Sequence, residues 1–259
     1  FEVDYYRKHY IYRLKPKNNR YDKTIVIFIG LGGILQPFYK LINYLINKNY
    51  QVIVPLYGPS QASLCYNFNC HEIEFQLDLY DYLVENNYNN IEILSWSLGG
   101  ILYKGFENYI LELSSMKSNK IKVRKAYLFE PLLCMRGCMD TYFSNLRDYS
   151  DTLHILNSVT SKKYYNYNKI FSYFLHTQIG FSTSNSFGCF TSVELKNIPY
   201  ISFPRYLFVS SDDIIINYTL DRDFIDFNFE KDKTYHRRGY HGGWLNSSKL
   251  YTILNDIMK

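Results

Sequence analysis

The chain has 259 residues, 47% of them hydrophobic and 20% charged, with a net charge of +5. At about 150 residues per domain that is one large domain or two small ones, with a core that needs no disulfide support, and the apolar content excludes wholesale disorder. No apolar run nears the roughly 18 residues of a membrane-spanning helix, and the short basic clusters at 120–125 and 237–238 come with no nucleic-acid-binding motif, which argues against a nucleic-acid partner.

Residues 1–14 read as an edge hairpin turning near Arg7-Lys8. The clearest strand is Thr24-Ile25-Val26-Ile27-Phe28-Ile29, apolar on both faces like a parallel strand buried between helix layers. It runs into Gly30-Leu31-Gly32-Gly33, after which Phe38, Leu41, Ile42, Leu45 and Ile46 recur at helical spacing. Gln51 to Pro55 is a short strand, and the loop after it turns at Gly58-Pro59-Ser60. Residues 71–86 fit two periods. Ile73, Phe75, Leu77 and Leu79 alternate like a strand, whereas Phe75, Leu79, Tyr82 and Leu83 share a helical face; the length of the segment and the strand–helix rhythm around it favour a helix.

Ile91 to Leu94 is the next strand, followed by Ser95-Trp96-Ser97-Leu98-Gly99-Gly100 and an amphipathic stretch to about Ser115. Val123 to Phe129 is a further buried strand, stopped by Glu130-Pro131. Tyr206 to Val209 is another and ends in Ser210-Ser211-Asp212-Asp213. A last strand is expected around Phe224 to Tyr235 and a last helix from about Asn246. Strands and helices alternate, which implies an α/β fold with a mostly parallel, doubly wound sheet. Between Leu132 and Pro204 the rhythm breaks, over about 70 residues, too long for an ordinary loop. The expected organisation is a core of residues 1–131 and 205–259 with a helical cap inserted at 132–204, over the ligand-binding edge of the sheet.

Tyrosine occurs 28 times, while alanine occurs only as Ala62 and Ala126. AT-rich codon usage accounts for that bias before any binding role does. The cysteines Cys65, Cys70, Cys134, Cys138 and Cys189 are odd in number and loosely spaced. A zinc site from Cys65, Cys70, Cys134 and Cys138 has poor spacing, so free thiols are favoured, no metal is expected, and the cytoplasm is the expected compartment. The chain begins without Met, so an upstream segment, a targeting signal included, stays open.

The informative motif is Ser95-Trp96-Ser97-Leu98-Gly99, between a buried strand and a helix. A nucleophile elbow needs that context: a sharp strained turn that lifts a hydroxyl above the sheet, with small residues two before and two after it. Gly99 meets the requirement, and Ser95 stands where Gly is usual. Here the sequence resembles the α/β-hydrolase family, in its serine esterase and lipase-like members, over nearly the whole chain. The resemblance implies that Gly30-Leu31-Gly32-Gly33 is the oxyanion loop, although Ile29 occupies the place of a common His. It makes Ser97 the nucleophile, with the N–H groups of Leu31 and Leu98 as oxyanion donors. Asp213, by register rather than Asp212, is then the acid, and His241 in His241-Gly242-Gly243 the base. The order Ser97, Asp213, His241 is the family's. Glu130 also ends a strand and competes as acid; His236, beside Arg237-Arg238, competes as base.

These types imply acyl chemistry without a cofactor: His241 takes the Ser97 proton during attack on a carbonyl, and Asp213 orients the imidazole. The expected function is a serine hydrolase of ester or related acyl bonds. Aromatic residues of the insertion (among them Tyr142, Phe143, Tyr164 and Phe171) suit an apolar or lipid-like acyl substrate, with peripheral membrane contact left open, although codon bias explains the same residues. The alternatives are an acyltransferase on the same triad and a degenerate fold used as a binding module.

Overall fold

The computed structural model describes residues 2–17, 20–30, 35–56, 72–132, 203–213, 218 and 222–259. Among them one sheet contains β1 (Glu2–Tyr6), β2 (His9–Leu14), β3 (Lys23–Phe28), β4 (Tyr50–Pro55), β5 (Asn90–Trp96), β6 (Lys122–Phe129), β7 (Arg205–Ser210) and β8 (Thr234–Arg237). Their spatial order is β1-β2-β4-β3-β5-β6-β7-β8. The pairs β1/β2 and β2/β4 are antiparallel, and every other pair is parallel. The N-terminal hairpin is therefore the sheet's antiparallel edge, as its aromatic and polar alternation leads one to expect.

The helices are α1 (Tyr39–Asn47), α2 (Glu72–Glu85), α3 (Gly99–Ser115), α4 (Arg222–Asn228) and α5 (Ser248–Ile257). The segment with two competing periods is thus helical, as α2. The first three helices stop on a left-handed residue: Asn49 (φ 60°), Asn87 (φ 61°) and Lys117 (φ 58°). After α2 and α3 the chain closes with a pair of reversed hydrogen bonds, Asn87 N–H to Val84 O and Tyr88 N–H to Leu83 O, then Lys117 N–H to Ser114 O and Ser118 N–H to Leu113 O. These satisfy the last carbonyls and send the chain straight into the next strand.

Each face of the sheet has its own core. One packs Val26, Phe28, Ile91, Ile93, Leu207 and Val209 under α2, α3 and α4. The other packs Ile25, Ile27, Val52, Val54, Leu94 and Phe208 under α1 and α5. On that second face aromatic rings stack across neighbouring strands, Phe129 on Phe208 with centroids 4.4 Å apart and Phe208 on Tyr235 at 4.9 Å. Cross-strand pairs of this kind stabilise a sheet in register.

One expected strand is in large part something else. Residues around Phe224 to Tyr235 form α4, a single 3-10 turn at Lys231–Lys233, and only then β8. The Phe and Asp residues there fit two periods. Ile225 and Phe229, four apart, are both buried, and the Phe229 N–H bonds the Ile225 carbonyl, so the helical period prevails. The cap expected at 132–204 falls almost wholly outside the described residues, as do all five cysteines. No helix among the described residues is long and apolar enough to cross a membrane.

Candidate active site

The carboxyl ends of β5, β6, β7 and β8, four neighbours in the sheet, meet at one place. β5 ends at Trp96, and Ser97 follows with φ 53°, left-handed backbone that a residue with a side chain rarely adopts. Three hydrogen bonds hold it there. The Ser97 N–H donates to the Phe129 carbonyl of β6, and the Ser97 carbonyl accepts from the N–H groups of Gly100 (2.9 Å) and Leu132 (2.8 Å). Gly99 lets α3 start against β3: a Cβ there would stand 2.1 Å from the Phe28 carbonyl oxygen. Gly30 lies equally close on the other side, where a Cβ would stand 2.8 Å from the Trp96 ring and 3.0 Å from the Ser97 Cβ. The loop after β3 therefore begins against the elbow. Ser95 fits its position fully buried, although its hydroxyl has no hydrogen-bond partner among the described residues.

Asp213 comes three residues after β7, and His241 four residues after β8. His241 Nδ1 is 2.7 Å from Asp213 Oδ2, and the two side chains are 3% and 1% exposed. A carboxylate only accepts, so Nδ1 carries the proton and Nε2 of the neutral ring keeps its lone pair. Nε2 is buried and has no hydrogen-bond partner among the described residues. The imidazole lies on the residue before Ser97, its centroid 5.3 Å from that of Trp96 with 31° between the planes. Burial disfavours the imidazolium, but the charge and hydrogen bond of Asp213, with the charge of Glu130, outweigh it and hold the pKa above its ordinary 6.5. Trp244 anchors the His-bearing turn from below: its ring is fully buried and its indole N–H donates to the Val209 carbonyl (3.0 Å).

Of the competing residues, Asp212 and His236 stand apart from the pair. Asp212 is half exposed, 3.4 Å from the exposed Arg238 guanidinium. His236 lies within β8 and is exposed, opposite Val209 in register. Glu130 accepts its hydrogen bonds from groups other than the imidazole. It is fully buried at the end of β6, where its carboxylate accepts from the Ser210 hydroxyl, the Gly242 N–H and the Trp96 indole N–H. Of the two expected oxyanion donors, Leu98 is buried at the start of α3 with φ −55°, and Leu31 lies outside the described residues. The structure thus brings Ser97, Leu98, Asp213, His241 and Glu130 to one edge of the sheet. Trp96, Ser210 and Gly242 stand in the motifs read from the sequence, but their hydrogen bonds to Glu130 could not be read there, because no spacing rule encodes such contacts.

No protein-family model and no curated protein sequence matches the chain. Solved structures do. A lipase-like protein from Acinetobacter baumannii, described as a putative lipase, superposes with a TM-score of 0.70 at 14% identity, covering 99% of this chain and 90% of that one. An enol-lactonase from Burkholderia xenovorans gives 0.66 at 11% identity, with 100% of both chains covered. A serine hydrolase from Cycloclasticus zankles gives 0.65 at 14% identity, covering 99% and 96%. Such likeness at such low identity is likeness of fold, and with the strand order and pairing described above it gives this chain the α/β-hydrolase fold.

Proposed function

We propose that the protein is a serine hydrolase that cleaves an ester or related acyl bond through Ser97, His241 and Asp213. The observation that carries the reading is the buried His241–Asp213 pair with a free Nε2 lone pair, beside a serine held in left-handed backbone. A serine hydroxyl is a weak nucleophile at neutral pH and needs an adjacent base. In the proposed reaction Nε2 takes the Ser97 proton as Oγ attacks the carbonyl carbon. Asp213 keeps the ring in the required tautomer and stabilises the imidazolium. The Leu98 N–H, at the start of α3, stabilises the developing oxyanion, and the Leu31 N–H is proposed as its companion. His241 then protonates the leaving group. Water, deprotonated by the same Nε2, releases the acyl group and restores Ser97. The link from Nε2 to the hydroxyl is not closed in the resting protein. Catalytic hydrogen bonds of this kind commonly tighten only when substrate is bound.

The family resemblance and the hydrolytic neighbours support the reaction class, and an apolar acyl chain remains the proposed preference. The test is covalent labelling. A fluorophosphonate probe should label the native protein stoichiometrically, and Ser97→Ala should take up none. Labelling that survives the substitution would refute the assignment of the nucleophile.

A further inference from the structure

Glu130 is a buried carboxylate that the proposed reaction does not use. It is fully buried and has φ 41°, a second left-handed residue beside Ser97 at the end of the neighbouring strand. The two turns are tied by backbone, Ser97 N–H to Phe129 O and Leu132 N–H to Ser97 O. Its side chain gathers three donors from three other elements: the Trp96 indole of β5, the Ser210 hydroxyl of β7 and the Gly242 amide of the His-bearing turn. Two of these flank the imidazole. Gly242 follows His241 in the chain, and the Trp96 ring lies against the His241 ring. A neutral apolar side chain would leave all three donors unpaired in the interior, so the site is built around an acceptor.

We infer that Glu130 is a positioning residue for His241: as an anion it fixes the His-bearing turn through Gly242, aligns the Trp96 ring against the imidazole, and adds a second negative charge that favours the imidazolium. Among the described residues Asp213, from the end of β7, is the other charged group that faces the ring. Asp213 holds the ring directly, and Glu130 acts through the groups on either side of it. Burial pushes the Glu130 carboxyl up and the Asp213 charge adds to the rise; the His241 charge, the Ser210 hydroxyl and the Gly242 amide offset only part of it, so its pKa lies above the ordinary carboxylate value. The inference requires that Glu130 remain ionised where His241 titrates.

The sign follows directly. Glu130 favours the charged ring, so removing its charge must lower the pKa of His241. The inference rests on the proposed roles of Ser97 and His241 for its meaning in catalysis, but its test needs no turnover. The imidazole resonances of native protein and of Glu130→Gln are followed by NMR against pH, and that of His241 is identified by its loss in His241→Asn. The native midpoint is expected above 6.5, and Glu130→Gln should lower it by about one pH unit, the low end of the effect of a nearby opposite charge. Glu130→Asp, which keeps the charge, should restore most of the difference. A midpoint that Glu130→Gln leaves unmoved or raises overturns the inference. If Glu130→Gln does not fold, Ser210→Ala serves: it removes one of the three donors and should move the midpoint the same way by less, and no movement is again the overturning result. Fluorophosphonate labelling of native protein is scored separately, so a protein that shows the shift but takes no label refutes the proposed function and not the role of Glu130.

Discussion

Asp212 and Asp213 are adjacent in sequence and differ completely in surroundings. Asp213 is buried against His241, while Asp212 is half exposed beside Arg238. Asp213→Asn should therefore lower kcat/KM for an activated ester by about 10⁴, the cost known when a protease histidine loses its carboxylate partner. Asp212→Asn should stay within about twofold of native, as for an exposed ion pair. Steady-state kinetics on both variants decides the matter. The order of Ser97, Asp213 and His241, and their places after strands, could be read from the sequence because strand ends are marked by abrupt loss of apolar residues. Glu130 could be noticed there, but only as a competing acid. Its three donors are an indole, a hydroxyl and a backbone amide from distant segments, and nothing in local spacing reports them.

At the scale of elements, the edge hairpin is fastened to α2. Arg7, left-handed at the hairpin turn, reaches Asp78 (2.6 Å) and Asp81 (2.9 Å). His9 is buried, its ring edge-on to Phe75 and its Nε2 3.3 Å from Asp78. Burial lowers the His9 pKa, and Asp78 offsets only part of that. Unfolded chains take up this proton near pH 6.5 and the folded protein resists it, so stability is full above that pH and falls as the pH drops below it. Urea midpoints measured at pH 7.5 and 5.5 should fall more for native protein than for His9→Gln; equal falls would mean that His9 titrates alike in both states. The sequence shows this hairpin but not its fastening, since Arg7 and Asp78 lie 71 residues apart. The misreading of α4 has a different cause: its apolar residues satisfy both periods, and only packing decides between them.

Across the whole molecule the abundant tyrosines have structural work beyond what codon bias explains. Tyr50 and Tyr127, both buried, donate to one oxygen of Glu92 at 3.0 Å each, which places a satisfied acid within the core. Tyr127→Phe leaves the acid with one phenol donor and should cost about 1–3 kcal/mol. Tyr206→Phe, on the same stack but with its ring only partly buried, should cost less. Chemical denaturation of the two variants compares them. The fold class was legible because a doubly wound sheet repeats its strand–helix rhythm along the chain. Which helices cover which face was not, because strands buried on both sides carry no polar alternation to sort the two layers.

The hydrogen bond from Leu132 to the Ser97 carbonyl has a consequence for how such a protein can be re-engineered. The chain's exit from β6 is stitched to the nucleophile itself, through the hydrogen bond from Leu132 N–H to the Ser97 carbonyl. A graft between residues 132 and 203 keeps the hydrogen bond from Leu132 to the elbow only if its junction preserves Glu130-Pro131-Leu132. A splice placed two residues earlier would free the Ser97 carbonyl from one of its two donors and remove the neighbouring left-handed turn. The safe boundary for a chimera is thus set by the backbone of the elbow at Leu132, and not by the end of β6 at Phe129, where an alignment of secondary structure would cut.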